Sequence, residues 1–124
     1  MPATGDNLRI NSERLWDSLM EMAKIGPGIA GGCNRQTLTD ADSAGRHLFQ
    51  RWCEAAGMVM GVDTMGKMFA SRAGTDAEAL PVYMGSHLDT QPTGGKYDGV
   101  LGVLGGLEVL RTLNDLNIRT RHPI

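Results

Sequence analysis

Leu80-Pro81-Val82-Tyr83-Met84-Gly85-Ser86 runs into His87-Leu88-Asp89-Thr90, and nine residues further on Gly99-Val100-Leu101-Gly102-Val103-Leu104-Gly105-Gly106-Leu107 opens a second apolar run. The first is short, bounded by proline and glycine, and rich in strand formers, which predicts a buried strand from Leu80 to Ser86. The second predicts a helix from about Gly99 to Asn114. Val100, Leu101, Val103, Leu104, Leu107 and Leu110 cover most of its circumference, so burial on several sides is expected. A strand followed by such a helix belongs to an α/β fold, where the helix crosses the sheet to a second strand. Leu116 to His122 reads as a polar connection, and Pro123-Ile124 as the first step of that second strand. The chain is therefore expected to be a truncated piece.

Upstream, Asn11 or Ser12 can cap a helix reaching about Lys24, with Leu15, Leu19 and Met22 on one stripe and Gly26-Pro27 as the stop. Gly26 to Thr39 carries turn chemistry and reads as a structured loop. A second helix starts at Thr39, with Asp42 three residues later as in a capping box, and ends at Gly57. Ala44, Leu48, Trp52 and Ala55 mark its expected buried face. Met58 to Val62 and Lys67 to Arg72 flank Asp63-Thr64-Met65-Gly66 and predict an antiparallel hairpin. Hairpin and 80–86 strand are expected in one sheet flanked by the three helices.

The length of 124 residues fits one domain, and no internal boundary shows. Net charge −2 gives no basic field for a polyanion, which argues against nucleic acid as a partner. The start, MPATGDNLRINSERLW, lacks the basic and apolar pattern of a secretory leader, and no apolar run approaches the roughly 20 residues of a membrane span. A cytoplasmic chain with no membrane partner is expected. Cys33 and Cys53 match neither a disulfide framework nor a zinc ribbon.

His87 and Asp89 stand two apart at the C-terminal end of the strand, where open α/β sheets gather ligands. A period of two puts both side chains on one side. A neutral imidazole can bind a metal through one nitrogen while a carboxylate accepts the other N–H and fixes the ring. The plainer alternative is a hydrogen-bonded pair at a strand end. Asp98 precedes the apolar helix, where it is either an N-cap or a metal ligand poised over the same strand end. His47, His122, Cys33 and the methionines at 58, 60, 68 and 84 are read without a role. Arg35, in the glycine loop, suits either substrate binding or a salt bridge.

Gly85-Ser86-His87-Leu88-Asp89-Thr90-Gln91-Pro92 with Gly94-Gly95-Lys96-Tyr97-Asp98-Gly99-Val100-Leu101-Gly102 resembles the amidase, hydantoinase and carbamoylase family of zinc-peptidase-like amidohydrolases. Gly31-Gly32-Cys33-Asn34-Arg35 and Leu38-Thr39-Asp40-Ala41-Asp42 are similar too. The resemblance implies that residues 1–124 are the N-terminal portion of a metallohydrolase catalytic domain, with a mixed sheet. It implies His87 as a terminal metal ligand, Asp89 as the catalytic carboxylate orienting it, and Asp98 as a bridge between two divalent ions, zinc first, manganese or cobalt otherwise. A Glu-Glu pair and two further ligands would lie beyond Ile124. Lys67 departs from the usual asparagine. The implied parent is a homodimer hydrolysing linear C–N bonds of small ureido or N-carbamoyl amino acids, while the fragment alone is inactive. The alternatives are a dipeptidase or aminoacylase with the same metal core, and a non-catalytic binding or assembly module.

Overall fold

The computed structural model describes residues 8–124, so the reading of the first seven residues as free of a leader lies outside the described residues. Helix α1 spans Ser12–Ala23, α2 Asp40–Ala55 and α3 Val100–Asp115, with strands β1 Val59–Val62 and β2 Met68–Ser71 between α2 and α3. None of these helices is long and apolar enough to cross a membrane.

The caps follow from side-chain chemistry. Asn11 Oδ1 accepts from the Arg14 N–H at 3.0 Å and starts α1. Thr39 Oγ1 accepts from the Asp42 N–H at 3.2 Å to start α2. The reciprocal half of that box reaches one residue further back than expected, because Asp42 Oδ2 accepts from the N–H of Leu38, which sits at φ +67°. At the far end of α3, Asn117 takes φ +53° and the Ile118 N–H reaches back to the Leu113 carbonyl, closing the helix.

The core lies where α1 and α2 meet α3. Leu19 and Met22 of α1, Cys53 of α2, Met58, and Val100, Leu104, Leu107 and Leu110 of α3 form one buried cluster. Two expectations about faces change here. On α2 the buried residues are Asp42, Gly45 and Cys53, with Leu48 and Trp52 half-buried, whereas Ala44 and Ala55 are exposed. The helix is turned because Gly45 must accommodate a buried arginine, as described below. On α3, Leu101 is exposed, and Glu108 is wholly buried on the side facing α1.

β1 and β2 pair antiparallel, with Val59 opposite Ser71 and Val62 opposite Met68, as the hairpin reading predicts. The segment 80–86 differs from expectation: residues 80 to 87 are exposed and join no ladder, and the only sheet among the described residues is the two-stranded β1–β2. The α/β class stands as a partial domain. The 80–86 run lacks a neighbour along its length: among the described residues its main chain is met only by the Pro123 carbonyl, which accepts from the Val82 N–H at 2.8 Å, and by His122 Nδ1, 2.7 Å from the Leu80 carbonyl.

Candidate metal-binding site

The strip from Gly85 to Asp98 is held from beneath by the glycine loop. Thr90 donates its N–H to the Arg35 carbonyl and accepts from the Arg35 N–H on Oγ1, both at 2.7 Å. Cys33 and Gly94 exchange two main-chain bonds, and a side chain at Gly32 would collide with the Gly94 carbonyl. Arg35 itself is 1% exposed. Its Nε donates to the Leu88 carbonyl at 2.9 Å, and its Nη1 to the carbonyls of Met22 and Ile25 at the end of α1. The guanidinium thus caps the negative end of α1 and fixes the main chain next to Asp89. Among the described residues it pairs with no carboxylate, so the salt-bridge alternative does not hold, and its burial leaves the guanidinium no open surface. Gly45 gives it room, because a Cβ there would lie 2.9 Å from Arg35 Cδ.

On this platform His87 and both acidic residues come together. His87 Nδ1 lies 2.9 Å from the Asp89 main-chain oxygen and 3.4 Å from Asp89 Oδ1. With the proton assigned to Nδ1, Asp89 orients the ring mainly through its carbonyl and secondarily through its carboxylate, and the Nε2 lone pair is left free. Nε2 faces Asp98 Oδ1 at 4.0 Å. Asp98 makes no helix cap. The cap position of α3 is Gly99, at φ +73°, without any side-chain hydrogen bond. Any Cβ at Gly99 would run into the His87 ring, so glycine there lets the imidazole lie against the start of the helix. Tyr97 rests on Trp16 of α1, ring centroids 6.1 Å apart, and holds the turn that carries Asp98.

The side chains of His87, Asp89 and Asp98 are 49%, 40% and 70% exposed, so the donor atoms are open to solvent. A nitrogen and a carboxylate oxygen at this separation have the chemistry to share a divalent ion or to serve two neighbouring ones. The donor set is short, however. Among the described residues no group of three or more His, Cys, Asp or Glu side chains could hold a metal ion.

His87 and Asp89 also line a cleft of about 730 Å³ with Arg46, Lys67, Phe69 and Tyr83. The other histidines stay apart: His47 is exposed on α2, and His122 Nδ1 is 2.7 Å from the Leu80 carbonyl. Cys33 and Cys53 are free and buried, and burial pushes the Cys53 thiol up to about 12.

Two residues that matter to this geometry were not singled out from the sequence. Gly99 could have been suspected from its place directly after Asp98 in an otherwise apolar helix start. Glu108 could have been suspected as the lone charge in a run of aliphatic residues. Its carboxylate takes the Arg14 guanidinium at 2.7 and 2.8 Å and the Asn11 N–H at 3.2 Å. Burial alone would raise its pKa, but these bonds outweigh burial and hold it below the usual carboxylate value.

The chain is 73% identical over all its 124 residues to an N-carbamoyl-L-amino-acid amidohydrolase of Rhizobium meliloti, of whose length it spans 30%. Its close homologues are hydantoinase/carbamoylase-family amidases. An N-carbamoyl-L-amino acid amidohydrolase of Geobacillus stearothermophilus is 38% identical over 115 residues, 93% of this chain and 28% of the relative. The crystal structure of a hydantoinase/carbamoylase family amidase from Burkholderia ambifaria superposes with a TM-score of 0.92 at 58% identity, covering 94% of this chain and 28% of that one. No family model matches the chain. Hydantoinase/carbamoylase amidases thus share both the sequence and the backbone of this chain, which spans less than a third of their length.

Proposed function

We propose that this chain is the N-terminal part of a metal-dependent amidohydrolase that cleaves the linear C–N bond of an N-carbamoyl amino acid or a related ureido acid. The observation that carries the reading is the approach of His87 Nε2 to an uncapped Asp98 carboxylate, in a chain similar throughout to an N-carbamoyl-L-amino-acid amidohydrolase. His87 and Asp98 would hold metal, with zinc, manganese or cobalt suited to the donors. A metal bound there supplies Lewis-acid polarisation of the carbamoyl oxygen and a lowered pKa for a bound water. Asp89 keeps the His87 proton on Nδ1 so that Nε2 stays available. Arg35 and Gly99 hold the strip and the ring in register. The further donors and the group that takes a proton from water would come from residues outside this chain, and a homodimeric cytoplasmic parent completes the proposal.

The test is made on the longer enzyme. His87→Ala and Asp98→Ala are each expected to lose bound metal and turnover of an N-carbamoyl amino acid while keeping the fold by circular dichroism. Full metal content and turnover in Asp98→Ala would overturn the assignment.

A further inference from the structure

Arg35 holds the main chain on both sides of Asp89. Its Nε donates to the Leu88 carbonyl at 2.9 Å, and that carbonyl shares a peptide unit with the Asp89 N–H. The Arg35 carbonyl takes the Thr90 N–H at 2.7 Å, and that N–H shares a peptide unit with the Asp89 carbonyl. Peptide units are planar, so holding one end of each fixes the direction of the other. Both units flanking Asp89 are thus oriented by a single residue.

The second of these units bears on the imidazole. In a trans peptide the C=O and N–H point opposite ways, so a Thr90 N–H turned toward Arg35 turns the Asp89 carbonyl away from it. That carbonyl lies 2.9 Å from His87 Nδ1, closer than the Asp89 carboxylate at 3.4 Å. Arg35 grips Thr90 a second time, its N–H donating to Oγ1 at 2.7 Å, and Oγ1 in turn donates to the Gln91 carbonyl at 2.9 Å. Thr90 is buried, so water does not compete for these groups.

Stability alone accounts poorly for this arrangement. The buried guanidinium is satisfied only by carbonyls, and its Nη2 has no hydrogen-bond partner among the described residues. A buried cation held in this way is a costly means of closing a helix. Arg72 is the natural comparison. It closes α3 in the same manner, Nε donating to Asn114 Oδ1 at 3.0 Å and Nη2 to the Ile118 carbonyl at 2.6 Å, with Nη1 unpartnered among the described residues. Its main chain bonds to Ile124. None of these partners belongs to the strip from Gly85 to Asp98, whereas Arg35 sends one donor and both main-chain groups there.

We infer that Arg35 is a positioning residue for the metal site. By orienting both peptide units of Asp89 it aims the Asp89 carbonyl at His87 Nδ1, which keeps the ring proton there and leaves Nε2 directed toward Asp98. Its burial closes it off from metal and substrate, so it acts only through Asp89 and His87. That role rests on the reading of His87 as a metal ligand. What Arg35 sets is the direction of one carbonyl rather than the mere placement of the strip.

The experiment is made on the longer enzyme with Arg35→Met, which keeps the aliphatic stem and removes the donors, and with Arg72→Met as its counterpart at α3. Zinc affinity is measured by competition with a chromophoric chelator, and the visible absorption of the cobalt-loaded protein reports ligand geometry. Arg35→Met is expected to weaken zinc binding roughly 10- to 100-fold and to change the cobalt spectrum. Arg72→Met is expected to lower the urea midpoint while leaving zinc affinity and cobalt spectrum as in the parent. Gly45→Ala keeps every donor but puts a Cβ 2.9 Å from Arg35 Cδ, and a several-fold weakening of zinc binding is expected. Unchanged zinc affinity and cobalt spectrum in Arg35→Met, or in Gly45→Ala should Arg35→Met not fold, would overturn the positioning role. So would equal losses of zinc affinity in Arg35→Met and Arg72→Met. His87→Ala, measured alongside, keeps two failures apart. Full zinc binding there would remove His87 as a ligand and the role of Arg35 with it, whereas loss there with no change in Arg35→Met would overturn the positioning role alone.

Discussion

The seam between α1 and α3 and the strip from Val82 to Asp98 are built from similar residue types and end in opposite states. In the seam, Glu108 is fully buried, and its oxygens are taken by Arg14, Asn11 and Thr112. Along the strip, Asp98 and His87 are half to largely exposed; His87 Nδ1 is held by Asp89, while the Asp98 carboxylate approaches His87 Nε2 at 4.0 Å without a hydrogen bond. A charge with its hydrogen bonds satisfied locks two helices together. A charge left without them, on a rigid platform and beside a glycine required for fit, is available to a ligand. The difference separates structural carboxylates from candidate metal-binding ones without reference to any relative.

That contrast can be broken most severely at the strip. Removing either proposed ligand, His87→Ala or Asp98→Ala, should abolish metal loading of the longer enzyme, read by elemental analysis, with little change in urea midpoint. In the seam the expectation is reversed. Arg14→Ala strands the Glu108 carboxylate and should cost about 3 kcal/mol in urea unfolding, the low end for a buried pair because Arg14 is 30% exposed. Metal affinity of the folded molecules should not change.

The same seam gives a pH dependence. Glu108 has its folded-state pKa lowered from the ordinary 4.5, so its contribution to stability is complete above that value and fades as pH falls through the lower folded value. Denaturation of Glu108→Gln should therefore differ from the parent most at neutral pH and converge with it in acid. A difference that widens in acid would contradict the assignment of that carboxylate as ionised.

Gly99→Ala sharpens the comparison at the strip itself. It forces a Cβ into the His87 ring at φ +73° and should lower metal affinity roughly 10- to 100-fold, while the strained backbone costs about 1 kcal/mol. Asp89→Asn should do least, about tenfold in metal affinity, because the main-chain oxygen at 2.9 Å remains to hold the ring. A loss as large as that of His87→Ala would mean that Asp89 binds metal directly.

Much of this was legible in the sequence, and the reason is local. Asn11 and Thr39 announce helix starts through their side chains, the Asp63 to Gly66 turn announces the hairpin, and the His87-x-Asp89 spacing with Asp98 at the helix start picks out three residues that the fold brings together. What was not legible depends on partners distant in the chain. Arg35 looks like a surface residue of a glycine loop until Gly45, Ile25 and Leu88 are brought around it. The Leu80 to Ser86 run has the composition of a buried strand, yet burial needs a neighbour along each side, and among the described residues only His122 and Pro123 hydrogen-bond to its main chain. The α2 face was misread at Ala44 and Ala55 because alanine carries too little surface to decide which side of a helix is covered.

Anomalous diffraction at a metal absorption edge, from crystals of the longer enzyme grown with zinc or manganese, tests the central claim most directly. A metal peak about 2.0–2.2 Å from both His87 Nε2 and an Asp98 carboxylate oxygen, with Asp89 on Nδ1, is the predicted result. Peaks remote from His87, or an Asp98 carboxylate turned back to cap α3 in the metal-loaded crystal, would contradict it.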